Sequence, residues 1–513
     1  YANPENERVA AEIVRGLWPN PHVSVSSEIL PEIREFERAS TTVLSAYVQP
    51  IIDGYLDQFE SKLSDAGFRG RFSIMQSNGG RMPAAAMRRN AITALYSGPA
   101  AGVVGAIRQA ARSGRCDLIT FDMGGTSTDV SLVQGGEPSL APETEVDGLP
   151  IRTPVLDIVS VGAGGGSLVW MDEGGMLRVG PRSAGADPGP ACYGRGGVLP
   201  TVTDAHVVRG TIRPESFLGG TMRLDEAAAH RAFEEVAARL GTDVRSAAAA
   251  AIRLAVANIV RAIQLVSTER GRDPRDYALV PFGGAGPLLA AEIAEELGIA
   301  EILVPPNPGV VSALGLLSAD YVKVYGSTRR MPLDAAAPEA LRSAEAALRA
   351  AAEAEFRSLG LDGALEFGLE ADMRFVGQAF EVPVAIEAAA LPRLTAADLA
   401  NRFTEAHRRV YLHGGEPGRK AEIVSLRFSA RRRLETLPEV RERAGGPEPR
   451  GTVPVLAADG RTLEARQVAA AGFDGDLPGP ALIQGYSSTV WVPEGWRAAR
   501  DAAGNLILRR DAA

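Results

Sequence analysis

The chain has 513 residues, a formal net charge of −9 and 45% hydrophobic residues, enough apolar material for a large core and a length that suggests about three domains. The mild acidity offers no basic patch or stripe of the kind that binds nucleic acid. The two cysteines, Cys116 and Cys192, form no CxxC, so a disulfide framework is not expected and a reducing, cytoplasmic setting is. No continuous apolar run reaches the ~18 residues that span a bilayer, and no membrane association is expected.

Glu5–Leu17 reads as a helix with Val9, Ile13 and Leu17 on one face. A short strand is expected at His22–Ser26. After Pro31 comes a charged helical turn, Glu32 to Arg38, whose pairs at i,i+3 and i,i+4 either support a solvated face or stand at the entrance of a site. A long helix from Thr41 to Phe68 and a strand over Phe72–Met75 follow, ending in the turn Gln76-Ser77-Asn78-Gly79-Gly80. Ser97–Gly102 is built of small residues and reads as a helix-packing notch in preference to an anion site.

The stretch around which the rest is organised is Asp122-Met123-Gly124-Gly125-Thr126-Ser127-Thr128-Asp129-Val130. Apolar runs at Leu118–Phe121 and Val130–Val133 flank it, which predicts a β-hairpin. Its glycines let backbone N–H groups approach an anion, and the hydroxyls of Thr126, Ser127 and Thr128 add donors. Asp122, at the end of the first strand, suits a magnesium ion held through water. Each hydrogen bond to a charged phosphate oxygen contributes about 1.5–3 kcal/mol. On these residues alone, a tight hairpin without a ligand is an equal reading.

A strand over Asp157–Val161 runs into Gly162–Ser167 (GAGGGS), which is not GxGxxG and leads to a strand; a bulged hairpin and a lining for a polar ligand are equal readings. None of the three lysines, Lys62, Lys323 and Lys420, follows a glycine, so no Walker A loop is present. Cys192 is expected to be buried, Asp204 to cap a helix and His206 to be structural; no histidine pair has zinc-site spacing. A long helix over Ser246–Arg270 carries the stripe Ile252, Val256, Ile259, Ile263 and Val266. A strand from Tyr277 passes through Phe282-Gly283-Gly284-Ala285-Gly286-Pro287 into a helix, a second anion-receptive element. Beyond about Val324 the composition changes to a separate α+β pattern, interrupted by a charged linker over Glu435–Arg450.

The hairpin Asp122–Val130, the helix Ser246–Arg270 and the loop Phe282–Pro287, in this order, resemble the actin-like ATPase superfamily. More specifically, PEIREFERAST (Pro31–Thr41), SGPAAGVVG (Ser97–Gly105), FDMGGTSTDV (Phe121–Val130), GAGGGS, TERGRDPRD (Thr268–Asp276), FGGAGPL (Phe282–Leu288) and GPALIQGYSSTVWVPEGW (Gly479–Trp496) resemble the ATP-dependent hydantoinase A family. That family includes N-methylhydantoinase, 5-oxoprolinase, caprolactamase and a subunit of acetone carboxylase. The resemblance implies an α/β fold of actin-like (ribonuclease H-like) domains. The remainder of an incomplete first domain would span 1–115, a second, nucleotide-binding domain 116–324, and a C-terminal α+β domain 325–513. The family's first phosphate hairpin would precede Tyr1, so this sequence taken alone is expected to turn over ATP poorly.

The resemblance further implies ATP and Mg2+ (or Mn2+) as cofactors. It assigns Asp122 to the metal, Gly124, Gly125, Thr126 and Thr128 to the phosphates, and Gly283, Gly284 and Gly286 to the adenosine end. Glu269 would contact the ribose or base, and Asp129 would orient groups at the γ-phosphate or brace the hairpin. The implied activity is phosphorylation of the carbonyl of a cyclic amide, allowing hydrolytic ring opening with a hydantoinase B-type subunit in a hetero-oligomer. A ketone carboxylase subunit and a non-catalytic nucleotide switch are the alternatives. Leu289 stands where the family often has His, and His206 where it often has Asn.

Overall fold

The computed structural model describes residues 3–411, 419–434 and 449–511. All of the expected linker except Pro449 and Arg450 lies outside the described residues. The fold is mixed α/β and divides into two compact units, each assembled from three stretches of chain. The first comprises Tyr1–Ser97, Leu140–Val155 and Ala319–Thr436; the second comprises Gly98–Ser139, Leu156–Ser318 and Leu437–Ala513.

The second unit is organised by a nine-stranded sheet. Its central strands, Leu118–Met123 and Ala278–Phe282, run parallel in the register Leu118↔Ala278 to Asp122↔Phe282. Both are near-continuous apolar runs because both faces are covered. Thr128–Gln134 returns antiparallel beside the first, followed by Ile158–Val161. On the other side come Glu301–Val304 and then Leu506–Arg510 and Trp496–Arg500. The helix Val244–Val266 is capped by Asp243, whose Oδ1 accepts from Ser246 N at 2.9 Å. By length and composition this helix is long and apolar enough to cross a membrane. Its stripe Ile252, Val256, Ile259, Ile263 and Val266 is nevertheless wholly buried in the unit's core, as expected for the central helix of a folded unit.

In the first unit, a six-stranded sheet orders Ser73–Met75, Arg81–Pro83, Tyr321–Pro332, Ala421–Arg432, Glu366–Phe375 and Val382–Ile386. Helices Ala337–Ser358 and Ala396–Tyr411 contribute Leu341, Phe356, Leu399 and Phe403 to a core that includes Met373, Leu426 and Phe428.

Four expectations change. Residues 325–513 do not form a self-standing α+β domain, and boundaries at 115 and 325 do not delimit the units. The strands up to Arg432 complete the sheet that starts at Ser73, and Asp476–Pro478, Trp496–Arg500 and Leu506–Arg510 extend the sheet of the Asp122 hairpin. Alternation identifies a strand but not its partner. Trp496 shows the tie: it is fully buried and its Nε1 donates to Glu295 Oε1 at 2.7 Å. The expected strand at His22–Ser26 is absent, Ser26–Ile29 being a helical turn, and the PEIREFER helix begins only at Glu35. Val9, Ile13 and Leu17, on the expected apolar face of Glu5–Leu17, are exposed.

Trp496→Ala is therefore expected to destabilise the second unit by about 3–5 kcal/mol. Hydrogen exchange should quicken in Ala278–Phe282 and Glu301–Val304; unchanged protection there would contradict the shared sheet.

Candidate functional site

The hairpin places Asp122 directly opposite Asp129, and Met123 opposite Thr128. Its tip is a tight turn in which Gly124 N donates to Ser127 O at 3.1 Å. Gly124, Gly125 and Thr126 are exposed. The GAGGGS loop is laid against this tip, backbone on backbone. Gly165 N donates to Gly124 O at 2.9 Å and Gly166 N to Gly125 O at 2.6 Å. A Cβ on Gly164 would come within 2.6 Å of Thr126 N and 2.7 Å of Ser127 N, so only glycine permits the approach. The loop thus engages two of the turn's carbonyls. Among the described residues, the amides of Gly125, Thr126 and Ser127 donate to no protein acceptor. Free successive amides at an exposed turn form an anion-binding concavity.

The second glycine bend arrives at the same edge because the two central strands are parallel and in register. Gly283 adopts φ +77°, and a side chain there would collide with the Asp122 carboxylate and the Met123 carbonyl. Ala285 N donates to Met123 O at 3.1 Å, and Gly283 N to Pro308 O at 2.9 Å. Ser487 packs over this bend: a Cβ on Gly309 would lie 2.5 Å from its Oγ, and one on Gly284 3.6 Å from its carbonyl oxygen. Open sheets bind ligands at the carboxyl ends of their parallel strands, which is where these elements meet.

The electrostatics are those of two like charges held together. Burial, with the neighbouring Asp129 charge, pushes the Asp122 carboxyl up to about 6. Burial also raises Asp129, opposed by the Ser160 hydroxyl that donates to it. Neither carboxylate has an ion-pair partner among the described residues, and no cluster of three metal-ligating side chains occurs there. Two carboxylates without an ion-pair partner, beside a row of unengaged amides, suit Mg2+, which keeps most of its waters and takes one or two carboxylates.

The expected site residues separate into groups. Asp122, Asp129, Gly124, Gly125, Thr126, Gly283 and Gly284 converge on this edge. Gly286 is buried against the Phe121 ring, from which a Cβ at this position would lie only 3.4 Å away, and serves helix–strand packing. Thr128 does not offer its hydroxyl to a ligand: it is fully buried and donates to Ala163 O, bracing the hairpin against the GAGGGS loop. Glu269 is the clearest correction. Its helical turn, Thr268–Arg270, is fixed at the opposite edge of the sheet, where Arg270 Nη2 donates to Asp157 Oδ1 at 3.2 Å, beside Ile158. The chain then enters Ala278 at the beginning of its strand. Five strand residues, about 15 Å, separate that end from the glycine bends.

The structural readings of the remaining residues hold. Asp204 completes a capping box with Thr201 and accepts from Cys192 N at 2.8 Å. His206 is buried with Nδ1 2.8 Å from Thr211 Oγ1, and burial lowers its pKa to about 3. Burial likewise pushes the Cys192 thiol far above its usual range. Ser487 is a neighbour of the bend that sequence reasoning misses; its only signal in the sequence is the GYSS turn of the Gly479–Trp496 stretch.

A family model described as hydantoinase/oxoprolinase matches residues 38–325. The chain is 34% identical to caprolactamase subunit alpha of Pseudomonas jessenii over 99% of its own length and 74% of that protein's. The crystal structure of the ATP-dependent caprolactamase from Pseudomonas jessenii matches with a TM-score of 0.87, covering 99% of this chain and 75% of that one. Nucleotide-free acetone carboxylase matches with a TM-score of 0.75 at 26% identity, with 99% and 75% covered.

The raised Asp122 pKa sets a sign. Between the ~3.9 of an unfolded Asp and about 6, the folded protein binds more protons, so this group's contribution to stability falls as pH rises through that window. Without metal or nucleotide, Asp122→Asn is expected to melt higher than wild type at pH 7.5 and together with it near pH 4. A melting difference that does not change with pH would contradict the burial of this carboxylate.

Proposed function

The chain belongs to the hydantoinase/oxoprolinase family, and from that premise we propose that it is the ATP-using subunit of a cyclic amide hydrolase with an actin-like nucleotide site. The observation that carries this is the row of unengaged amides at Gly125–Ser127 beside the Asp122–Asp129 pair. An amide carbonyl is a poor electrophile; bound ATP supplies the phosphoryl group that turns its oxygen into a leaving group. Phosphoryl transfer needs mainly positioning and charge neutralisation, and the side chains here suit both tasks. The tip amides bind phosphate oxygens. Asp122 would hold Mg2+, with Asp129 adding charge and bracing the hairpin through Ser160. Gly284 and Ser487 shape the nucleoside end.

Ring opening falls to a hydantoinase B-type partner. Cys192 and His206 are both buried and held neutral, so neither supplies a nucleophile–base pair. The relative's printed name, subunit alpha, supports a hetero-oligomer.

Phosphate release from the full-length protein, co-purified with its partner subunit, separates this reading from a ketone carboxylase and from a nucleotide switch. Release should rise with a cyclic amide, and Asp122→Asn should lower that rate by roughly 10²–10³, the cost of losing one charge-stabilising group. Release stimulated only by a ketone with bicarbonate, or by no small molecule, would overturn it.

A further inference from the structure

The first unit holds a cavity of about 680 Å³ that none of the residues of the phosphate site line. Small-molecule sites span about 300–1,000 Å³. Two stretches that stand out in the sequence build it: Pro31 and Glu32 from PEIREFER, and Gln76 and Asn78 from QSNGG. One part of the wall is apolar, with Leu30, Met82 and Met87 all buried.

Glu32 is held in this wall by its neighbours. Ile33 N donates to Thr328 Oγ1 at 2.9 Å, and Gly326 stands where any side chain would collide with the Glu32 carboxylate. Yet Glu32 has one ion pair, with Arg152 Nη2 at 3.4 Å, and no hydrogen bond among the described residues. Burial raises its pKa accordingly. Arg152 and Asn90 also line the cavity, and each keeps a buried polar atom, Nε and Oδ1, with no partner. Buried polar groups are normally satisfied, so three under-used residues around one cavity point to a ligand.

The charges indicate which kind. Lys323 is paired with Glu355, Arg427 with Asp372 at 2.6 Å and Arg15 with Glu28 at 3.1 Å. Among the described residues only the exposed Arg89 is left over. A carboxylate or phosphate entering here meets no unpaired buried cation. A neutral group with an adjacent donor and acceptor matches the carboxylate of Glu32 and the guanidinium of Arg152.

Resting on the cyclic-amide reading above, we propose that this cavity binds the ring substrate and selects an uncharged one. The ring N–H donates to Glu32, the ring carbonyl accepts from Arg152, and the hydrocarbon edge lies on Met82 and Met87.

The test is direct binding to the full-length protein without nucleotide, by calorimetry and saturation-transfer NMR, with ε-caprolactam, hydantoin and 5-oxoproline as probes. An uncharged ring should bind at least tenfold tighter than the carboxylated 5-oxoproline. Glu32→Leu combined with Arg152→Met removes the pair without stranding a charge and should weaken that binding at least tenfold. Ala86→Trp, at a position lining the cavity, should abolish it; if that variant misfolds, the double variant carries the test. Equal binding by the double variant, preference for 5-oxoproline, or binding of no ring overturns the proposal. Failure of the cyclic-amide reading looks different: rings that bind here but do not stimulate phosphate release.

Discussion

The contact on which the phosphate site depends is between two stretches of backbone. Gly164–Gly166 lies so close to Gly124–Ser127 that a single methyl group would separate them. This contact gives the carbonyls of Gly124 and Gly125 their partners, while the amides of Gly125, Thr126 and Ser127 have none among the described residues. A hairpin tip in water would exchange both sets of groups freely. Here the acceptors are used from one side, so the donors remain as a fixed array. Electrostatic preorganisation of this kind is effective because the reorganisation cost is met during folding.

The sheet does the rest of the positioning. Leu118–Met123 and Ala278–Phe282 are parallel and in register, so both glycine bends leave the sheet at one edge. Gly283 in the left-handed region then permits the second bend to touch Asp122. The same register brings Asp122 and Asp129 side by side. That juxtaposition is unfavourable in the absence of a cation, and active sites commonly hold such strain at the expense of stability.

Much of this is legible in the sequence because it is local. A strand, a glycine turn and a second strand must form a hairpin, and a strand, a glycine turn and a helix must offer amides at the helix start. Packing notches are legible too: Gly102 and Gly105 lie in Ser97–Ala111, against Phe282 and Val311. What the sequence withholds is long-range pairing. Nothing in Leu506–Arg510 states that its partner is Glu301–Val304, and nothing in Thr268–Arg270 tells which end of the sheet it closes. Glu269 is misplaced for that reason, and Thr128 because burial, not residue type, decides whether a hydroxyl faces a ligand. Glu32 and Gln76 read as part of a charged helix and a turn; only the fold shows that they share one cavity.

Hydrogen exchange on the full-length protein, with and without magnesium and a non-hydrolysable ATP analogue, tests the phosphate site most directly. The nucleotide is expected to slow exchange at Gly124–Ser127 and at Gly283–Gly284 and to leave Thr268–Gly271 unchanged. Protection at Thr268–Gly271, with none at Gly124–Ser127, would contradict the assignment.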